Sequence, residues 1–282
     1  MKQGITVHCV VKNEEKWIWY ALNSILEIAS KVLIYDTGST DKTVEIIKTI
    51  KSKKIIFEEK GEVNAEGLVK LRRQQLEGTQ TEWFLILDGD EIWPDKTKKE
   101  LVDKLKTAKE NDWGVVIRAW NLVGDIYHYH PESIRYHWPF APTSYKGWAN
   151  LRVIHTQVPG LHIQGKYPLE AYCDKNKTPL QNYGQKNLIF LKNRYFHTTY
   201  LTRSSSRSTD KKILNRLKKN KYEFGIKFPK NFKYPKVFYI KHPGIVTDPW
   251  LKRSSIETIT SLLQSPIKEL RRRAFNLYNT RV

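Results

Sequence analysis

The chain has 282 residues, of which 40% are hydrophobic and 12% aromatic, enough to bury the core of one large α/β domain or of a domain with an appendage. Two cysteines, Cys9 and Cys173, with no C-x-x-C, exclude a disulfide framework and a zinc site, and no apolar run reaches the roughly eighteen residues of a membrane span. The formal charge of +20 is uneven: residues 201–282 hold 20 Lys and Arg against 5 Asp and Glu, so a nearly balanced chain ends in a basic region suited to a polyanionic partner.

Met1 to Gly4 lead straight into Ile5–Val11, a β-branched run that reads as a buried strand, and a cytoplasmic protein is the expectation. From Trp17 the apolar residues fall at 18, 21, 22, 25, 26 and 29, the stripe of an amphipathic helix. Val32–Tyr35 predicts a second strand that ends at Asp36, with Gly38 in a turn before the next helix. Lys54–Glu58 predicts a third strand, and residues 65–78 a helix that carries Arg72 and Arg73. Trp83–Leu87 is an unbroken apolar run, the pattern of a strand covered on both faces, and it stops at Asp88-Gly89-Asp90-Glu91. The alternation predicts an α/β fold with a mostly parallel twisted sheet flanked by helices.

Further on, the pattern predicts a helix from Pro94 to about Lys109, a strand over 115–123 and an irregular stretch over 124–150 rich in His, Tyr and Trp. Strands are expected near 150–155, 161–165 and 187–197. A main domain over 1–205 is then followed by a basic, largely helical region over 206–282 that packs on it or extends it. That region reads as a helix over 208–222, a proline-rich stretch, a helix opened by the Ser254/Glu257 capping box, and another opened by Ser265-Pro266.

In a parallel sheet the carboxyl ends of the strands converge on one crevice. Asn13-Glu14, Asp36 and the Asp88–Glu91 cluster fall there, with Arg72 nearby. Clustered acids repel unless a positive partner sits among them, and a divalent cation on a diphosphate serves that purpose. The bland reading of each is also available: Asp36 as a helix cap, Arg72 on a solvated face, Asp88–Asp90 as a turn.

The segments V-V-K-N-E-E, Y-D-T-G-S-T-D-K-T, R-R-Q-Q-L and E-W-F-L-I-L-D-G-D-E together resemble family 2 glycosyltransferases of GT-A fold, most specifically over residues 5–95. The resemblance implies that the backbone around Val10 to Asn13, and Asp36, hold the nucleotide base, with Glu14 also in the donor site. It implies that Arg72 supports the nucleotide, that Asp88 and Gly89 face the ribose or sugar, and that Asp90 holds Mn2+ or Mg2+. Glu170, in G-K-Y-P-L-E, resembles the acid that faces the acceptor and acts as base, and His197, in Y-F-H-T-T-Y, a further metal ligand. Arg73 departs from the asparagine of many members. The processive mark Q-x-x-R-W is absent, which implies single additions.

The implied enzyme is a metal-dependent inverting transferase. It would move one sugar from a UDP-sugar to a glycan or lipid-linked acceptor in surface polysaccharide biosynthesis. The basic C-terminal region is expected to dock on an anionic membrane, making the protein peripheral on the inner face. Two alternatives stand beside this. A sugar nucleotidyltransferase would carry a G-x-G-x-R loop where this chain has V-V-K-N-E-E. Nucleic-acid binding is suggested by the basic charge and aromatics, although the basic excess lies away from the acidic cluster.

Overall fold

A computed structural model describes residues 2–135, 141–205 and 221–279. Its first half is built on four apolar strands: β1 (Lys2–Val11), β2 (Lys31–Asp36), β3 (Ile55–Glu59) and β4 (Thr81–Ile86). They pair in parallel in the order β3–β2–β1–β4. The crossovers are α1 (Ile18–Ile25), α2 (Thr43–Thr49) and α3 (Ala65–Glu77). Register pairs Val11 with Asp36 and His8 with Ile86, so the acid-bearing turns after β2 and β4 leave the sheet at one edge. Trp83 and Leu85 pack into one hydrophobic cluster while Phe84 and Ile86 pack into another, the signature of a strand covered on both faces.

The second half is mixed. After β5 (Glu91–Ile92) and α4 (Asp95–Lys106) come β6 (Gly114–Val123), β7 (Asp125–Tyr129), the short α5 (Glu132–Arg135) and β8 (Ala149–His155). β8 runs antiparallel to both β4 and β6. The small ribbon of β9 (His162–Gln164) and β10 (Ala171–Cys173) stands apart. β11 (Leu188–His197) then lies parallel to β6, and its last two residues pair antiparallel with β5. The stretch expected to be irregular over 124–150 thus contains a strand and a helical turn, while residues 136–140 lie outside the described residues.

The C-terminal region contributes to the main core. β12 (Ile226–Lys227) adds to β7, and Phe228, Val237, Phe238 and Val246 join the same hydrophobic cluster as β1 and β4. This changes the surroundings of α1. The sequence pattern gives it one apolar face, yet Trp19 and Tyr20 are buried as well, because residues 237–247 cover its outer side. Tyr20 packs edge-on against Phe238 and donates its hydroxyl to the carbonyl of Thr247 at 2.8 Å.

The helix expected over 208–222 falls mainly outside the described residues. The two helices expected near the terminus are one, α6 (Ser255–Asn279), which runs through Pro266. Proline's φ suits a helix, and its missing N–H costs this one a backbone hydrogen bond without ending it. The capping box does form: Ser254 N–H donates to Glu257 Oε2 at 2.9 Å and Glu257 N–H to Ser254 Oγ at 3.2 Å. No helix among the described residues is long and apolar enough to cross a membrane.

Candidate active site

The turns at the carboxyl edge of β1, β2 and β4 open onto a cleft of about 810 Å3. Val10, Glu14, Arg72, Asp88, Gly89, Asp90 and His197 all line it. Gly89 has a steric reason to be glycine. A Cβ there would lie 2.9 Å from Glu14 Cγ and 3.3 Å from Ile18 Cδ1, so the turn after β4 and the turn after β1 touch only because it lacks one.

Asn13 and Asp36 have another occupation. Asn13 is fully buried with φ of 53°, a left-handed conformation that asparagine tolerates better than most residues. Its Oδ1 accepts the Thr40 N–H at 2.7 Å and its own N–H reaches Ser39 Oγ at 2.9 Å. Asp36 accepts from the Gly38 and Ser39 amides at 3.0 and 2.9 Å and from Ser39 Oγ at 2.5 Å. Asn13 thus ties the turn after β1 to the turn after β2, while Asp36 braces its own turn, and neither is among the residues that line the cleft.

The acids after β4 meet two arginines that the sequence does not mark out. Arg152, on β8, donates to Asp88 Oδ2 at 2.8 Å and also to Glu91 Oε1. Arg203 places Nη1 2.6 Å from Asp90 Oδ2 and 3.0 Å from Glu14 Oε1. It is held there by the start of α1: Lys16 N–H donates to the Arg203 carbonyl, Trp17 Nε1 to the Thr202 carbonyl, and Glu15 accepts the Ser205 N–H. Burial pushes the Glu91 carboxyl up to about 7 against the pull of Arg152, since its side chain is wholly enclosed. Asp88 keeps 37% of its side chain open. There the desolvation cost is more than offset by Arg152 and Arg72, and its pKa is lowered.

On the other side of the cleft, His197 places Nε2 3.4 Å from Asp90 Oδ2. Its Nδ1 is buried with no partner among the described residues. The neighbouring Asn121, paired with His197 across β6 and β11, also lines the cleft, and both its amide atoms are buried with no partner among the described residues. Asp90 and His197 suit a divalent ion, since such ions often take only one or two protein ligands and complete their shell with phosphate oxygens and water. No group of three or more His, Cys, Asp or Glu donors is gathered among the described residues.

Glu170 does not line the cleft, although Tyr167 and Pro168 of the same loop do. Its Oε1 lies 3.3 Å from Arg72 Nε, while Oε2 is buried with no partner among the described residues. Asp125, another acid of the second half, is committed to His128, the Tyr127 N–H and Arg253.

The mixed α/β sheet, with a carboxylate cleft at the carboxyl edge of its parallel strands, matches the GT-A glycosyltransferase fold. The chain belongs to glycosyl transferase family 2, whose model matches residues 6–171. It is 30% identical over 106 residues to an uncharacterized glycosyltransferase of Rickettsia bellii, a match covering 38% of this chain and 33% of the relative. A relative in Rickettsia typhi is 31% identical over 102 residues, covering 36% of this chain and 32% of its own. The matches thus span about a third of the length of these curated relatives. Among solved structures, S. aureus TarS (residues 1–349) superposes with a TM-score of 0.44 at 17% identity, over 70% of this chain and 61% of its own. Mycobacterium tuberculosis glucosyl-3-phosphoglycerate synthase, crystallised with Mn2+, uridine diphosphate and glucosyl-3-phosphoglycerate, gives 0.31 at 21% identity, over 43% and 45%.

Proposed function

We propose that this protein is a metal-dependent inverting glycosyltransferase. It moves one sugar from a nucleotide-diphosphate sugar, a UDP-sugar, to a hydroxyl of a glycan or lipid-linked acceptor in surface polysaccharide assembly. The observation that carries the reading is the meeting of Asp88, Asp90, His197, Arg72 and Arg203 on one cleft in a chain of family 2. A nucleotidyltransferase is disfavoured because the turn after β1 is Lys12-Asn13-Glu14-Glu15, with no glycine to bring backbone amides onto a phosphate.

In this reading Val10 and Glu14 line the base end of the cleft, and Asn13 and Asp36 shape it by bracing its two turns. Arg72 and Arg203 are the cations for the diphosphate, for which a planar guanidinium fork is well suited. Arg203 exchanges Asp90 and Glu14 for phosphate oxygens when donor enters. Asp90 and His197 would hold Mn2+ or Mg2+, which when bound supplies Lewis-acid stabilisation of the departing diphosphate. The acceptor oxygen bonds to the anomeric carbon as the bond to the diphosphate breaks. Glu170 is assigned the base: Arg72 fixes one oxygen, and the other, buried beside the cleft with no partner among the described residues, would turn into the cleft to take the acceptor's proton.

The test is a panel of nucleotide sugars with Mn2+, scored by nucleotide release and repeated with chelator for the best donor. Release from one UDP-sugar that stops with chelator is the expected result. Release unaffected by chelator would remove the metal from the scheme, and no release with any donor would overturn the reading.

A further inference from the structure

Helix α6 is mounted with its polar face on the domain. Ser261 is 2% exposed. Ser265 Oγ accepts the Phe224 N–H at 3.0 Å, Lys268 Nζ reaches the Tyr222 carbonyl at 3.5 Å, and Arg272 Nη1 lies 2.6 Å from Glu223 Oε2. Steps of four, three and four residues place these on one face. The opposite face, about half a turn round, is Ile256, Ile259, Leu263, Ile267 and Leu270, with Leu262 beside them. All six are more than half exposed, and they make up half of the exposed large apolar side chains among the described residues. An isolated exposed leucine needs no explanation, but a continuous stripe of this length does.

What borders the stripe identifies its occupant. Arg271 and Arg273 stand on its two flanks, both exposed. The one acid near them, Glu269, already holds Arg272 and Arg273. Pairing α6 in parallel with a second copy of itself would bring arginine flanks together, and in an antiparallel pair the acid they would meet, Glu257, is already held by the Ser254 cap. Apolar side chains between arginines match the boundary of an anionic lipid surface: the stripe enters the acyl region and the guanidinium groups stay at the headgroups. Leu251, 60% exposed, and the exposed Lys252 continue the same chemistry just before the helix.

We infer that α6 is an in-plane membrane anchor, lying with Ile256–Leu270 in the interface of an anionic leaflet while its serine, lysine and arginine face holds the catalytic domain above it. This is more specific than attraction by net charge, because it requires the apolar stripe as well as the arginines. It does not rest on the donor or the chemistry of the cleft.

The experiment is co-sedimentation of the full chain with vesicles of phosphatidylcholine alone or mixed with phosphatidylglycerol, without donor, across a range of salt. Three proteins are compared: wild type, Leu263→Ser with Leu270→Ser, and Arg271→Gln with Arg273→Gln. Wild type should bind the anionic vesicles and bind less as salt rises. The serine pair should lower binding roughly tenfold or more with an unchanged melting temperature, because binding scales with buried apolar area. The glutamine pair should reduce the preference for anionic over neutral vesicles. Wild type that binds neither vesicle, or both equally, overturns the inference. So does a wild-type dimer that the serine pair dissociates, which would make a second copy the occupant. A fall in melting temperature of the serine pair with vesicle binding intact also overturns it, since the chain itself would then cover the face.

Discussion

His197 Nε2 lies 3.4 Å from Asp90 Oδ2, and backbone pairing makes that contact. His197 stands opposite Glu91 where β11 meets β5, and the Thr198 N–H donates to the Asp90 carbonyl at 2.9 Å. The two-residue strand β5 thus fixes the acid to the histidine. The first prediction concerns this pair. Asp90→Asn should keep the fold by circular dichroism and lower transfer by about 100-fold or more, a loss of several kcal/mol of leaving-group stabilisation. Mn2+ affinity measured by calorimetry should fall in Asp90→Asn and in His197→Ala alike. Full activity in a well-folded Asp90→Asn protein would refute the metal assignment.

Glu170 is held by Arg72, so its substitution separates two roles. Glu170→Gln should lower kcat by about 100-fold while leaving donor affinity nearly unchanged, if the carboxylate takes the acceptor proton. A collapse of donor affinity with little change in kcat at saturating donor would instead make Glu170 a positioning partner of Arg72. Steady-state kinetics with donor varied distinguishes the two.

Gly89→Ala tests the contact between the turns after β1 and β4. The added methyl meets Glu14 Cγ at 2.9 Å, closer than carbon atoms pack. Relief requires the two turns to separate, moving Asp88 and Asp90 away from Glu14 and Arg203. Overpacking of this kind should cost about 1–3 kcal/mol in denaturant unfolding, and transfer should fall with it. Unchanged stability and activity would mean that the turns move without consequence.

The mounting of α6 should weaken in acid. Burial raises the Glu223 carboxyl, but hydrogen bonds from His130 and Arg272 outweigh it, and its pKa falls to about 2 from an ordinary value of 4.5. A carboxyl depressed in the folded state stabilises it above the unfolded pKa, and that stability is lost as pH falls from about 4.5 toward about 2. Glu223→Gln should therefore melt at lower temperature than wild type at neutral pH, and the gap should close across that acid window. A gap of constant size down to pH 2 would show that the carboxylate's charge is not what holds the helix.

The parallel half of the sheet and its acidic edge were legible in the residues because both are local patterns. Val32–Tyr35 and Trp83–Leu87 are apolar without alternation, as strands covered on both faces must be, and each stops at acids. The family signature lies in the same stretch, which is why Arg72, Asp88 and Asp90 stood out. Arg152 and Arg203 carried no such signal. Arg152 sits in Leu-Arg-Val-Ile, an ordinary strand sequence, and reaches Asp88 only because β8 runs antiparallel beside β4. Arg203 reaches Asp90 only because the start of α1 binds residues 202–205. The sequence likewise distinguished a site residue from a brace poorly: Asp36 and Asn13 look like ligands, and their oxygens are taken by neighbouring amides. In the C-terminal segment a helical repeat specifies only which residues share a face. Which way that face points depends on what Glu223 and Phe224 hold on the other side, and those contacts exist only once the chain has folded.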